Sequence, residues 1–323
     1  MVPELVGKLN SVLAALRAGP GETRARLAEL RGILAAAQPN EASSAIRQFL
    51  RSKSDAPTGR GFKVGGNHFL EEAPTVRTFL LDYLGQIDPA SAAEYSRLIL
   101  SSMDSPDEWA LALRNLARFD NSVAGRALLQ EKTRELLGHE PWQQNPSAGF
   151  LEAFDTAVYV GGTNLLPPLT DLVRKQDNSA LAHAAYLALD RLAINDTASV
   201  LAALEANPEL MQGREQTRAN YFARADIRDP AQRQVLESYL LDTRISPSEL
   251  ETFVSLFPNA NYMVSQNLLT PTPTPDHASL VSRDAESLRL VKEWLNEPRF
   301  ERLRLQLTKA QARLEQFVRE AAK

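Results

Sequence analysis

One amphipathic helical motif recurs along this chain, and its spacing limits the folds open to it. Thr75–Gly85 (TVRTFLLDYLG), Asp107–Ala117 (DEWALALRNLA) and Ser179–Ala193 (SALAHAAYLALDRLA) each open with a polar residue of the kind that caps helices. Each then places apolar groups at i, i+3/i+4 and i+7/i+8. Val76, Leu80 and Leu84 form one stripe, Trp109, Leu113 and Leu116 a second, Leu181, Ala185 and Leu189 a third. Weaker copies run over Ser147–Gly161, Arg214–Asp226 and Pro247–Asn259. The starts at 75, 107, 147, 179, 214 and 247 lie 32, 40, 32, 35 and 33 residues apart. Partner helices are expected between them at Ala90–Met103, Ala124–Leu137, Leu165–Lys175, Thr197–Ala206 and Ala231–Leu241.

Two helices per 32–40 residues predict an all-α fold, a right-handed α-solenoid of about six helical hairpins. One hairpin has too little apolar face to bury alone, so it stacks on its neighbours and each unit extends a shared core. Frequent alanine (Ala182, Ala184, Ala185, Ala188) suits close helix approach.

Within this array, Leu165–Ala193 (LLPPLTDLVRKQDNSALAHAAYLALDRLA) resembles a HEAT repeat. Pro168 stands near the start of the first helix and Asp177-Asn178 at the turn. Leu181, Ala184, Ala185 and Leu189 take the apolar positions of the second helix. Ala182 replaces the usual arginine there, whereas Thr75-Val76-Arg77 carries a Val-Arg pair in the equivalent place. The resemblance implies a fold and says little about activity. The Trp–Leu-Gly–Tyr signature of the tetratricopeptide repeat is missing.

The rest of the chain divides around this array. Residues 1–57 read as an N-terminal helical unit, with a first stripe at Leu5, Leu9, Val12, Leu13 and Leu16 ending at Gly19-Pro20-Gly21. A second helix carries Leu27, Leu30, Ile33 and Leu34, and a third runs from Ala42 to Leu50. Residues 58–73 are glycine-rich, 74–269 form the HEAT-like array, and 270–323 hold the proline-rich TPTPTPD (Thr270–Asp276) and a C-terminal helix. That helix follows one at Leu288–Leu295 and carries Phe300, Leu303, Leu307, Ala310, Leu314, Phe317 and Ala321, a heptad seam three heptads long. It is read as a cap on the last repeat, which solenoids need. A homodimer through this seam is the other reading, with a monomer favoured.

The stretch TGRGFKVGGNHF (Thr58–Phe69) invites comparison with phosphate loops. The dinucleotide fingerprint fails because Gly59, Gly61 and Gly65 put the third glycine one position late, after a helical segment. The Walker loop fails because Asn67-His68 follow Gly61 and Gly66, where Lys and Ser/Thr are required. A short β-hairpin or loop insertion near 59–70 fits better, with a turn at Gly65-Gly66-Asn67 and with Phe62, Val64 and Phe69 partly buried.

Catalytic signatures are sparse. The chain has no cysteine, which excludes disulfides, thiolate chemistry and cysteine metal sites. His68, His139, His183 and His277 share no metal-ligand spacing, there is no G-x-S-x-G, and no cofactor is expected. Glu152 and Asp155, three apart on one helix, read as surface residues. Asn195-Asp196-Thr197 fits a glycosylation acceptor but reads as a helix cap. A net charge near −4 without basic stripes argues against nucleic acid, and no apolar run suits a membrane span. Nothing fixes the compartment: it is cytoplasmic by default, exported if the chain is a mature fragment lacking its leader.

The densest polar concentration is Gly213–Pro230, with Arg214, Arg218, Asn220, Tyr221, Arg224 and Asp226, followed by Asn259, Asn261 and Tyr262 in the next unit. Two readings stand. One is an internal salt-bridge network pairing Arg218 or Arg224 with Asp226 or Asp229. The other is a contact patch for a ligand or protein, since second helices line the concave face of a solenoid. The expected function is a non-catalytic scaffold or adaptor that binds a protein or peptide on that face. The alternatives are an enzyme, a hydrolase or lyase with its site in the same patch, and a structural subunit of an assembly.

Overall fold

The computed structural model describes residues 2–19, 23–175, 178–272 and 277–321. Pro20 and Gly21 of the first turn, Asp177 of the repeat turn and Pro273–Asp276 of the proline-rich stretch lie outside them. The described chain is all-α apart from one two-stranded sheet. It divides into two compact units, Met1–Val160 with Ser265–Pro271, and Gly161–Val264 with Thr272–Lys323. The division falls inside the stretch read from the sequence as one repeat array.

The first unit contains α1 (Val2–Ala18), α2 (Thr23–Ala35) and α3 (Pro39–Arg51), then β1 (Lys63–Val64) and β2 (Leu70–Glu72). It continues with α4 (Val76–Ile87), α5 (Pro89–Ile99), α6 (Pro106–Phe119), α7 (Val123–Gly138), α8 (Glu140–Gln144), α9 (Ala148–Glu152) and α10 (Asp155–Val160). The stripe Leu5, Leu9, Val12, Leu13 and Leu16 is buried, and α1 packs on α2 and α3. Side-chain caps start the later helices: Thr75, Asp88, Ser105, Ser122 and Ser147 each accept a first-turn N–H. Each such cap contributes on the order of 1 kcal/mol. Ser105, not Asp107, caps α6, because Pro106 at the first helical position has no N–H to satisfy. The copy at 147–161 is two short helices rather than one, α9 and α10.

The glycine-rich stretch forms the hairpin. Lys63 pairs with Glu72 and Val64 with Leu70, antiparallel, and Phe62, Val64 and Leu70 are buried. The turn is closed by Gly65 N–H to Phe69 O at 2.7 Å and His68 N–H to Gly65 O at 3.0 Å. The left-handed turn residue is His68, at φ 67°, and not one of the glycines at 65 and 66. Gly65 sits in close quarters instead, since a Cβ there would stand 3.0 Å from Glu71 Cγ and 3.2 Å from Phe69 O. The late segment Ser265–Pro271 is fixed by buried Asp155, which accepts the N–H groups of Leu269 and Thr270 at 2.6 and 2.9 Å.

The second unit contains α11 (Leu166–Arg174), α12 (Ser179–Asn195), α13 (Thr197–Ala206), α14 (Glu215–Phe222), α15 (Pro230–Leu241), α16 (Pro247–Leu256), α17 (His277–Asn296) and α18 (Arg304–Ala321). Short 3-10 turns occupy Pro208–Met211 and Pro298–Leu303. An aromatic series runs through its core: Phe222 stacks on Tyr239 at 3.9 Å between ring centres, and Phe253, Phe257, Trp294 and Phe300 follow in succession. Phe300, Leu303, Leu307, Ala310 and Leu314 of the heptad seam are buried, with α18 packed on α16 and α17.

Buried arginine–carboxylate pairs join alternate helices in both units. Arg77 of α4 donates to both oxygens of Glu108 of α6, at 2.7 and 2.8 Å, across 31 residues. Arg218 of α14 does the same to Glu249 of α16, at 2.8 and 3.0 Å, again across 31. Asp82 of α4 accepts from Arg114 of α6 across 32 residues, and Asp190 of α12 from Arg224 beyond α14 across 34. Glu108 and Glu249 sit in the same local design, Ser-Pro-Asp-Glu and Ser-Pro-Ser-Glu, three residues into a serine-capped helix. In a capping box that glutamate would turn back to the cap; here it reaches to the arginine of an earlier helix.

Candidate binding site

Three pieces of the second unit converge: the end of α14, the irregular segment 259–264, and the first turns of α17. Buried Asn259 holds the segment in place. Its N–H donates to Ala223 O at 2.7 Å, its Nδ2 to Asn220 Oδ1 at 2.7 Å, and its Oδ1 accepts Asn261 N–H at 2.9 Å. Arg224 donates one terminal nitrogen to Asn261 O and the other to Asp190, both at 2.7 Å. From α17, Arg283 Nη2 donates to Arg224 O at 2.6 Å and Ala225 O at 3.3 Å. Arg228 forms a bidentate pair with Asp226.

These groups surround a cavity of about 180 Å³, lined by Arg224, Arg228, Arg283, Asn259, Asn261 and Tyr262 with Thr197, Ser279 and Leu280. Its described lining holds no carboxylate and no imidazole. The electrostatics follow from burial. Asp190 is raised above the usual carboxylate range by desolvation, which outweighs Arg224 beside it. The Tyr221 hydroxyl, fully buried and near Asp190, is pushed well up. Asp226 is held low, first by the hydrogen bond from Arg228. Arg283 is lowered by desolvation, against the attraction of Asp226.

No family model, no curated protein sequence and no solved structure matches this chain.

Of the nine residues singled out from sequence, the structure brings Arg224, Asn259, Asn261 and Tyr262 together around the cavity. The other five face elsewhere or act as support. Arg214 donates to Val173 O at 2.8 Å, and Asn220 positions Asn259. Arg218 is engaged with Glu249, to which the Tyr239 hydroxyl also donates at 3.0 Å. Tyr221 is buried, and Asp226 binds Arg228. The expected pairing of Arg218 or Arg224 with Asp226 or Asp229 does not form. Both arginines reach carboxylates 31 and 34 residues away instead, Glu249 and Asp190, while Asp229 caps α15. Arg283 was not legible: it comes from α17, 59 residues beyond Arg224, among the ordinary charged residues of an amphipathic helix. Arg228 lies inside Gly213–Pro230 and joins the cavity wall as well.

Several larger grooves lie in the first unit. One, of about 450 Å³, is formed by Arg24, Leu27, Arg31 and Ala35 of α2 against Arg60 and Leu70–Ala73 of the hairpin. Another, of about 380 Å³, runs past the Arg77–Glu108 pair to Tyr95 and Trp109.

Proposed function

We propose that this chain is a non-catalytic interaction module built from HEAT-like helical hairpins stacked as a solenoid, binding a protein or peptide. Support for the repeat design comes from the buried ion pairs, which recur at 31, 32, 31 and 34 residues, near the spacing of the hairpins. Support for contact without catalysis comes from the state of the charged groups. Asp190 and Glu249, two buried carboxylates of the second unit, are each bound by an arginine. A general acid or base must be free to reach a substrate proton.

The observation that carries the contact surface is the segment after Asn261. Tyr262 borders the cavity, Met263 is 48% exposed and Val264 83% exposed. Adjacent exposed apolar side chains beside arginines match the composition of interface cores, where Tyr, Met and Arg are enriched. No helix among the described residues is long and apolar enough to cross a membrane. The test is a random-peptide display selection on the purified protein. Enriched peptides should bind at micromolar Kd, and the Met263→Asp/Val264→Asp double variant should lose at least roughly tenfold affinity with an unchanged melting curve. Failure to enrich any peptide, or full affinity in the double variant, refutes this reading.

A further inference from the structure

We propose that the cavity between Arg224, Arg228 and Arg283 is an oxyanion site that takes one carboxylate or phosphate group of a ligand. Charge at its rim is the first reason. Three guanidinium groups line it, and two have carboxylate partners: Arg224 has Asp190, and Arg228 has Asp226 with Glu286 at 4.0 Å. Arg283 has no ion pair among the described residues; its Nη2 is given to two backbone carbonyls. A neutral carbonyl accepts a hydrogen bond but does not cancel a cation. Arg283 is therefore held at a largely desolvated position without a carboxylate in direct contact, Asp226 and Asp284 acting on it only through space.

Donor geometry is the second reason. Arg283 Nη1 donates to no group among the described residues, while Nη2 is tethered. A guanidinium anchored by one nitrogen presents the other at a fixed place, which suits a planar or tetrahedral oxyanion. Asn261 and Tyr262 border the same space with polar groups. Size is the third reason. About 180 Å³ is below the roughly 300–1,000 Å³ of sites that enclose a whole small ligand. It admits a single charged group with the remainder of the ligand outside.

The inference does not depend on peptide binding, because a free anion suffices to occupy the site. The purified protein is melted across concentrations of inorganic phosphate or acetate, with ionic strength held constant by chloride. A saturable rise in Tm is expected with at least one anion, since a ligand bound only to the folded state stabilises it by mass action. Phosphate alone points to a phosphorylated ligand; acetate as well points to a carboxylate. Arg283→Gln should weaken that binding at least tenfold. Thr197→Glu sets a carboxylate on the cavity wall at the start of α13 and should weaken it comparably. Thr197→Glu decides the matter if Arg283→Gln does not fold. A wild-type chain with no saturable response to either anion overturns the proposal. So does wild-type binding in Arg283→Gln, or in Thr197→Glu where that variant must decide.

Discussion

Replacing Glu249 by glutamine tests the buried ladder at one rung. The substitution keeps shape and volume but removes the charge that two Arg218 donors and the Tyr239 hydroxyl share. Glu249 is 1% exposed, so water cannot enter to replace the lost partner. Breaking one side of a buried ion pair costs about 3–5 kcal/mol, because the surviving charge stays desolvated. At roughly 2–4 °C per kcal/mol for a unit of this size, Tm should fall by roughly 6–20 °C. Replacing both partners by apolar groups of similar volume, Arg218→Met with Glu249→Leu, removes both desolvation penalties. It should cost well under the sum of the single changes. Thermal and urea denaturation of wild type, Glu249→Gln, Arg218→Met, Glu249→Leu and the double variant supplies the cycle. If Glu249→Gln costs less than about 1 kcal/mol, or the double variant costs the full sum, the pair is not coupled and the ladder does not hold these helices together.

Two further predictions concern local packing and pH. Gly85→Ala in α4 should destabilise by about 1–3 kcal/mol, because the new Cβ would lie 2.7 Å from Asn115 Oδ1 in a filled core. Gly32→Ala in α2, with nothing within 4 Å, should instead stabilise by roughly 0.5–1 kcal/mol through helix propensity, and denaturant midpoints of the two variants should move in opposite directions. Burial opposes the charge of Glu237, but hydrogen bonds from Trp294, Arg233 and Arg299 outweigh it and hold the carboxyl below its ordinary value. The folded state therefore binds fewer protons than the unfolded state near that range, and stability from this group is present above the unfolded pKa of about 4.3 and lost as pH falls through the lower folded value. Glu237→Gln should flatten the stability profile as pH falls below about 5; an unchanged slope refutes the assignment.

Helices were legible because their signal is local. The stripes at Val76, Leu80 and Leu84, and at Leu181, Ala185 and Leu189, need only the spacing of one helix, and all six residues are buried. The hairpin was legible from alternation at Phe62–Val64, although the strained turn position fell on His68 rather than on a glycine. Where the sequence shows several glycines, their number does not say which must take positive φ and which merely leaves room. The site was half legible. Arg224, Asn259, Asn261 and Tyr262 stood out because polar residues replace apolar ones within two segments. Arg283 could not, since its meaning depends on a helix packed 59 residues away.

The ion pairs show most clearly what local reading leaves out. Arg218 and Asp226 are eight residues apart, and a search for partners within the segment pairs them. The structure sends Arg218 31 residues forward and Arg224 34 residues back, each close to one hairpin. Helix α4 packs on α6 and α14 on α16, so a buried charge finds its complement on the next helix but one rather than within its own segment. The same reasoning explains the serine-proline-x-glutamate segments at Ser105–Glu108 and Ser246–Glu249. Each looks like a self-contained helix start, yet its glutamate is fixed by an arginine from the preceding counterpart helix. Such a pair contributes little net stability against an apolar core of the same volume. Its effect is on register: a bidentate fork satisfied at one place only penalises a helix that slides by a residue. An arginine about 31 residues before a glutamate in a capped first turn is therefore a sequence signal for the packing of alternate helices, and it survives where the apolar stripe, as in Arg214–Asp226, is weak.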